Sequence, residues 1–290
     1  MTTQVLPSMA GRTVVVTGAS SGIGQASARA LSAAGARVIL AVRDVEKGGR
    51  AARTFAGQTE VRHLDLEDLA SVRAFAEGWS GDLDILINNA GILMVPKGRT
   101  VDGFERHMGT NHLGHFALTN LLLPVITDRV VTVASDAHAR GRLDFGDLNW
   151  EHRAYRAAQA YSDSKLANML FVFELQRRLT AAGSGVRAMA VHPGMVRTNL
   201  FGHATGVVAF AMGIAGRLVM QDPRDGAKST LFAATQDIPG GSFVQPGRSG
   251  HLRGSPVVAA PAAVAQDTAA AQRLWALSRQ LTSVGEGQLA

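Results

Sequence analysis

With 290 residues, of which 46% are hydrophobic and 18% charged, the chain can bury one large core, and a single domain over 1–290 is expected. The absence of cysteine excludes disulfides, thiolate zinc sites and cysteine nucleophiles. The formal charge of +6 comes from scattered Lys and Arg with no aromatic-interleaved basic stripe, so nucleic-acid binding is not expected and a mild attraction for an anionic small molecule is the simpler use.

Met1–Arg12 lacks a basic run followed by an apolar core, and the longest apolar run, around Ala204–Gly216, is shorter than the ~20 residues of a spanning helix. No signal peptide and no transmembrane segment are therefore expected, and a cytoplasmic location fits. Thr13–Thr17 (Thr-Val-Val-Val-Thr) reads as a buried parallel strand. Gly18-Ala-Ser20-Ser21-Gly22-Ile23-Gly24 follows, then a helical stretch from Gln25 to Ala34. Glycines between a strand and a helix suit a dinucleotide loop: Gly18 permits a tight turn, Gly22 lets backbone approach a pyrophosphate, and Gly24 lets the helix pack close. The helix N-terminus offers free N–H groups to the phosphates.

Arg37–Val42 reads as the second strand. A carboxylate at its end would hold ribose hydroxyls and select NAD; here Val42 stands there and Arg43 follows, able to pair with a 2′-phosphate. NADP(H) is therefore expected over NAD(H), with Asp44 the one feature against it and a surface arginine at a loop the alternative. Glu60–Leu64 is the third strand. Asp65 at its end either accepts from an adenine amino group or caps the helix that starts near Leu69, a task for which Asp68 is better placed. Leu83–Ile87 is the fourth strand and ends in Asn88-Asn89-Ala90-Gly91, whose amides either tie strands together or form a turn. Val101–Ile126 reads as one long helical stretch, bent near Gly114 and ending near Pro124. Its His107, His112 and His115 do not make a one-face ligand set, so no metal site is expected. Asn111 is a poor helix former at mid-helix and needs a reason to be there.

Arg129–Ala134 is the fifth strand, with Ser135 at its C-terminal end facing the same crevice as the glycines. The polar connection from Asp136 to Gln159 is long for a βα loop and is expected to shape a pocket. A helix from Tyr161 to Ala182 opens with Tyr161-Ser-Asp-Ser-Lys165. Four positions apart, the phenol and the ammonium share one helix face, and a positive charge there moves a phenol of ordinary pKa ~10 toward proton-transfer range. The other tyrosine, Tyr155, has Gln159 at that spacing. Gly185–Val191 is a sixth strand, followed by His192-Pro193-Gly194-Met195-Val196-Arg197-Thr198. The glycine-spaced apolar segment 201–220 suits a substrate lid, a packing helix or a membrane-touching one. Asp222–Ala234 reads as a helix, Ser242–Val244 as a short last strand, and Thr268–Leu281 as a final helix capped by Asp267 or Thr268.

These motifs, in this order, resemble the short-chain dehydrogenase/reductase family: Thr17-Gly18-x-x-x-Gly22-x-Gly24, Asn88-Asn89-Ala90-Gly91, Asn111, Ser135, Tyr161-x-x-x-Lys165 and Pro193-Gly194-x-Val196-x-Thr198. Within it the chain resembles the retinol-dehydrogenase-like branch, through Val42-Arg43-Asp44, Asn111-His-Leu-Gly-His-Phe116, Ala134-Ser135-Asp-Ala-His138 and Leu274-Trp275-Ala-Leu-Ser278. The branch's protochlorophyllide reductase-like members rely on a cysteine that this chain lacks. The resemblance implies an α/β fold: a Rossmann-type doubly wound, mainly parallel seven-stranded sheet with helices on both faces. It implies that Tyr161 is the acid/base, that Lys165 lowers its pKa and binds the nicotinamide ribose, that Ser135 holds the substrate oxygen, and that Asn111 holds a proton-relay water. The cofactor set it implies begins with Gly18, Ser20, Ser21, Gly22, Ile23 and Gly24 and continues through Arg43, Asp65 and Leu66. Asn89, Ala90 and Gly91 follow, then Tyr161 and Lys165, and finally Pro193, Gly194, Val196 and Thr198. The expected activity is hydride transfer between NADP(H) and the carbonyl/alcohol pair of a small apolar molecule, in a monomer or homo-oligomer. The alternative is a non-catalytic NAD(P)-sensing regulator on the same fold; such proteins usually lose the tyrosine or the lysine, and both are present.

Overall fold

The computed structural model describes residues 6–196, 221–248 and 252–284. The expected lid at 201–220 and Thr198 lie outside them. Eight strands form one sheet: β1 (Thr13–Thr17), β2 (Arg37–Val42), β3 (Thr59–His63), β4 (Leu83–Asn88), β5 (Ile126–Val133), β6 (Arg187–Val191), β7 (Phe243–Arg248) and β8 (Arg253–Ala259). Their spatial order is β3-β2-β1-β4-β5-β6-β7-β8, parallel throughout except for the antiparallel β7–β8 pair. β8 is the strand the sequence does not announce. Its Gly254 and Pro256 are poor strand formers, tolerated because β8 is an edge and Pro256 faces Pro246 of β7.

The helices are α1 (Gly22–Ala33), α2 (Val45–Ala52), α3 (Leu69–Glu77), α4 (Gly114–Leu122), α5 (Ala157–Ala181), α6 (Pro223–Thr235) and α7 (Thr268–Thr282). Alternating strand side chains feed two cores. Val14, Val16, Leu40 and Ile87 pack under Leu31 of α1 and Leu231 of α6. Val15, Ile39, Leu86 and Val130 pack under Phe75, Phe116, Leu170 and Trp275 of α3, α4, α5 and α7. Trp275 meets Phe116 at 5.0 Å and Phe171 at 5.9 Å between ring centroids, and Ser278 Oγ lies 2.8 Å from His112 Nε2. The C-terminal Leu-Trp-Ala-Leu-Ser motif thus clamps α7 onto the helices that carry the site. Among the described residues, no helix is long and apolar enough to cross a membrane.

The expected long helix from Val101 is instead three pieces. Val101–Gly103 is turn and bend, helix begins near Arg106, and Met108–Leu113 is a π-helical turn before α4. A short 3-10 turn at Leu123–Val125 accommodates Pro124, and β5 starts at Ile126. Glu105 starts this segment: its carboxylate accepts the Met108 N–H at 2.7 Å and stands 2.9 Å from His107 Nδ1, while the Tyr155 hydroxyl donates to it at 3.0 Å. Burial pushes the Glu105 carboxyl up, but the hydrogen bond and charge of His107 and the Met108 N–H together hold it below the usual carboxylate range. A lowered carboxyl stabilises the fold above its unfolded pKa, and that contribution is lost as pH falls through the folded value. Glu105→Ala is therefore expected to cost about 3–5 kcal/mol at neutral pH. The cost should shrink in acid, as read by urea unfolding at two pH values.

Candidate active site

A cavity of about 930 Å³ opens where β1 and β4 send their chains to opposite sides of the sheet. Its floor is the glycine turn. Gly18 and Gly22 have φ of +67° and +58°, conformations that side chains disfavour. A Cβ on Gly24 would collide with the Asn89 amide and lie 2.7 Å from the Gly18 carbonyl. Ser21 precedes α1 in extended conformation and its side chain makes no cap, which leaves first-turn N–H groups for an anion. Ser20, Ser21 and Ile23 line the same wall.

Thr17, at the end of β1, organises the neighbouring turn. Its Oγ1 accepts the Asn89 and Ala90 N–H groups, both at 2.9 Å, and its carbonyl accepts from Asn89 Nδ2 at 2.8 Å. Asn88 Nδ2 donates to Thr119 Oγ1 at 2.8 Å. The asparagines thus tie strands and helix together, and Gly91 keeps space: a Cβ there would be 3.1 Å from Asn111 Oδ1 and 3.6 Å from Lys165 Nζ.

At the far end the cavity meets Arg43, Lys47, Asp65, Leu66 and Glu67. The Arg43 side chain is 66% exposed and 3.9 Å from Glu67, whose carboxylate Arg106 already holds at 2.8 Å. Asp44 is engaged elsewhere: its carboxylate caps α2 by accepting the Lys47 N–H at 2.8 Å. Asp68 caps α3 as expected, while Asp65 accepts the Glu67 N–H at 2.9 Å.

At the other end Ser135, Tyr161 and Lys165 share the wall. Ser135 follows β5, accepts the Ala137 N–H at 3.2 Å and is a hydrogen-bond partner of the Tyr161 hydroxyl. Burial raises the Tyr161 phenol, and the Ser135 hydrogen bond and the Arg140 charge only partly offset it. Lys165 stands one helical turn beyond Tyr161 on α5. Its Nζ lies 5.8 Å from the Tyr161 ring centroid and donates to the Val133 carbonyl at 3.0 Å. Burial depresses the Lys165 ammonium to about 8. Asn111 stands behind the wall. Its Oδ1 accepts the Ile92 N–H at 2.8 Å, and its Nδ2 donates to the Ile92 carbonyl at 3.1 Å and to Ser164 Oγ at 2.9 Å. That is its reason for sitting mid-helix: it acts as a strand partner for the turn after Gly91.

Pro193, Gly194 and Val196 form the near lip, with Gly194 at φ +80°. Sequence reasoning missed Lys47, Arg140 and His192, which also line the cavity. Lys47, one turn into α2 from Arg43, was findable from spacing; Arg140 arrives through a 3-10 turn at Asp136–Arg140 that no periodicity announces. Tyr155 belongs to the Glu105 cluster rather than to the wall of Ser135, Tyr161 and Lys165. The three histidines of the 107–115 stretch are occupied by Glu105, Ser278 and Thr17, and no group of three candidate metal ligands occurs among the described residues.

A family model for short chain dehydrogenases matches residues 12–206. Human retinol dehydrogenase 13 is 42% identical over 292 residues, covering 94% of this chain and 85% of that protein. A crystal structure of an uncharacterised protein from Mycobacterium Paratuberculosis superposes with a TM-score of 0.84 at 55% identity, covering 96% of each chain. The NADP active-site complex of Pseudomonas aeruginosa RhlG has a TM-score of 0.64 at 26% identity, covering 83% of this chain and 96% of that one.

A lysine whose folded pKa lies below its unfolded value weakens the fold while it is charged. The penalty is fully present below about 8 and fades as pH rises toward the ordinary 10.5. Lys165→Met is expected to gain about 1–3 kcal/mol of stability at pH ~7. It should also lose the rise in stability that wild type shows between pH ~8 and ~10 in urea titrations.

Proposed function

Since this chain belongs to the short-chain dehydrogenase family, in its retinol-dehydrogenase-like branch, we propose that it is an NADP(H)-dependent oxidoreductase acting on the carbonyl/alcohol pair of a small apolar molecule. The observation that carries the reading is the meeting of Ser135, Tyr161 and Lys165 on one wall of a cavity whose floor is the glycine turn. The residues suit a dinucleotide. Gly18 and Gly24 leave room that a Cβ would fill, uncapped N–H groups open α1, and Arg43 and Lys47 offer cations where a 2′-phosphate would sit. Asp44, the residue that would have argued for NAD, is spent as a helix cap.

When bound, the nicotinamide supplies or accepts the hydride. Tyr161 Oη gives a proton to the carbonyl oxygen in reduction and takes one from the alcohol in oxidation. Ser135 donates to the same oxygen, where negative charge develops. The Lys165 ammonium, held beside the phenol by the Val133 carbonyl, favours the phenolate and binds the nicotinamide ribose. Asn111 holds a water that links Lys165 to solvent. Leu93, Met94, Met195 and Leu252 on the lining favour an apolar substrate, as does the name of the human relative.

The test is a panel of apolar aldehydes and ketones, retinal among them, followed by NADPH absorbance. Binding of NADPH without consumption across the panel would make the protein a sensor instead. Tyr161→Phe is expected to lower turnover by at least ~100-fold while the NADPH dissociation constant stays within about twofold. Arg43→Asp is expected to move the NADPH/NADH preference by at least about tenfold toward NADH, measured as the ratio of kcat/KM values.

A further inference from the structure

His115 is completely enclosed, yet both of its ring nitrogens are used. Nδ1 lies 3.0 Å from the Asn111 carbonyl oxygen, and Nε2 lies 2.9 Å from Thr17 Oγ1. Asn111, Thr17 and His115 are each at most 1% exposed. The direction of these bonds follows from what each partner can donate. The Asn111 carbonyl can only accept, so Nδ1 carries the proton. Burial holds the ring neutral, with a pKa near 4 to which the charge of Lys165 also contributes. Nε2 is therefore bare and accepts the Thr17 hydroxyl at 2.9 Å, a closer acceptor than the Ile87 carbonyl at 3.4 Å. That leaves the Thr17 oxygen free to accept, and it accepts the Asn89 and Ala90 N–H groups.

The turn from Asn89 to Ile92 is thus gripped at two places. Thr17 holds its first two N–H groups, and the Asn111 side chain holds both backbone groups of Ile92. His115 is the group that joins the two grips. Between them lies Gly91, whose missing Cβ would face Lys165 Nζ.

We propose that His115 is a positioning residue of the active site: its neutral ring, bridging the Thr17 hydroxyl and the Asn111 carbonyl, sets the height of the Asn89–Ile92 turn against Lys165 and so the seat of the cofactor. No catalytic atom touches His115; it acts through Thr17 and Asn111. The inference rests on the dehydrogenase reading only for its kinetic consequence, since the bridge itself is a property of the folded chain.

Two measurements test it. In wild type, nitrogen NMR of His115 is expected to show the Nδ1–H tautomer, unchanged from pH ~5.5 to ~8. An Nε2–H tautomer, or titration within that range, would overturn the bridge without any variant being made. His115→Phe keeps a ring and loses both bonds, whereas His115→Gln can still donate to Asn111 and accept from Thr17. His115→Phe is expected to raise the NADPH dissociation constant at least about fivefold and to lower kcat at least about tenfold, and His115→Gln to recover most of both. Wild-type values in His115→Phe, or a His115→Gln as impaired as His115→Phe, would overturn the proposal. A wild-type protein that binds NADPH and reduces no carbonyl would defeat the dehydrogenase reading, and the dissociation constants would still decide the role of His115.

Discussion

The burial of the Lys165 ammonium is the constraint on which the rest of the site depends. Its side chain is almost completely enclosed, and a charge taken out of water costs free energy unless its donors are used. Among the described residues the Val133 carbonyl is the acceptor that directly meets it, and Asn168 Nδ2 shares that carbonyl from 3.3 Å. Val133 is also the last residue of the strand that delivers Ser135, so one carbonyl fixes the lysine to the serine's own strand end. A long α5 makes this possible. It starts at Ala157, before Tyr161, and continues to Ala181, so the packing of Leu166, Leu170 and Leu175 into the core anchors the polar first turns. The unfavourable charge is thus held in place by apolar burial further along the same helix.

The position of the cavity follows from strand order. β1 has β2 on one side and β4 on the other, so the loops leaving β1 and β4 diverge and leave a crevice between them. The two loops remain close only because polar side chains bridge them. Thr17 and Asn89 bond across the gap, and Gly24 permits an approach that any Cβ would block. The same crevice therefore requires glycine on one side and hydrogen-bonding residues on the other. That is why the conspicuous residues of the chain occur in two short clusters at strand ends.

Much of this architecture could be read from the chain. Thr13–Thr17 and Arg37–Val42 match β1 and β2 residue for residue, because doubly buried parallel strands are continuous β-branched and aliphatic runs. Elements whose shape depends on distant partners were less legible. The π-helical turn at Met108–Leu113 is started by Glu105 and supported by Tyr155, fifty residues later, and local periodicity carries no trace of that contact. β8 has only Val257 and Val258 as strand formers beside Gly254 and Pro256, and it exists because β7 offers it an edge. Within the site, most residues singled out by motif line one cavity, yet the motif does not reveal what Asn111 and Asp44 bond to. Asn111 proves to be a mimic of a strand partner, and Asp44 a cap. Arg140 was illegible because its role is electrostatic, acting on Tyr161 through space from a turn with no sequence period.

Burial moves Tyr161 and Lys165 apart on the pH scale, but in one electrostatic sense: each neutral form is favoured. A phenol held above its ordinary range keeps its proton at neutral pH, which is the form that donates to a carbonyl oxygen. Oxidation of an alcohol needs the phenolate and so becomes easier as pH rises. The Ser135 hydroxyl and the Arg140 charge oppose the burial of the phenol, and both sit at the cavity wall where a substrate oxygen would arrive. A substrate that draws the Ser135 proton toward itself therefore withdraws one of the two influences that lower the phenol. The remaining stabilisation of a phenolate must then come from the nearby ammonium, whose attraction strengthens as water leaves the site. On this reasoning the influence of the lysine on the tyrosine is greatest when the cavity is filled.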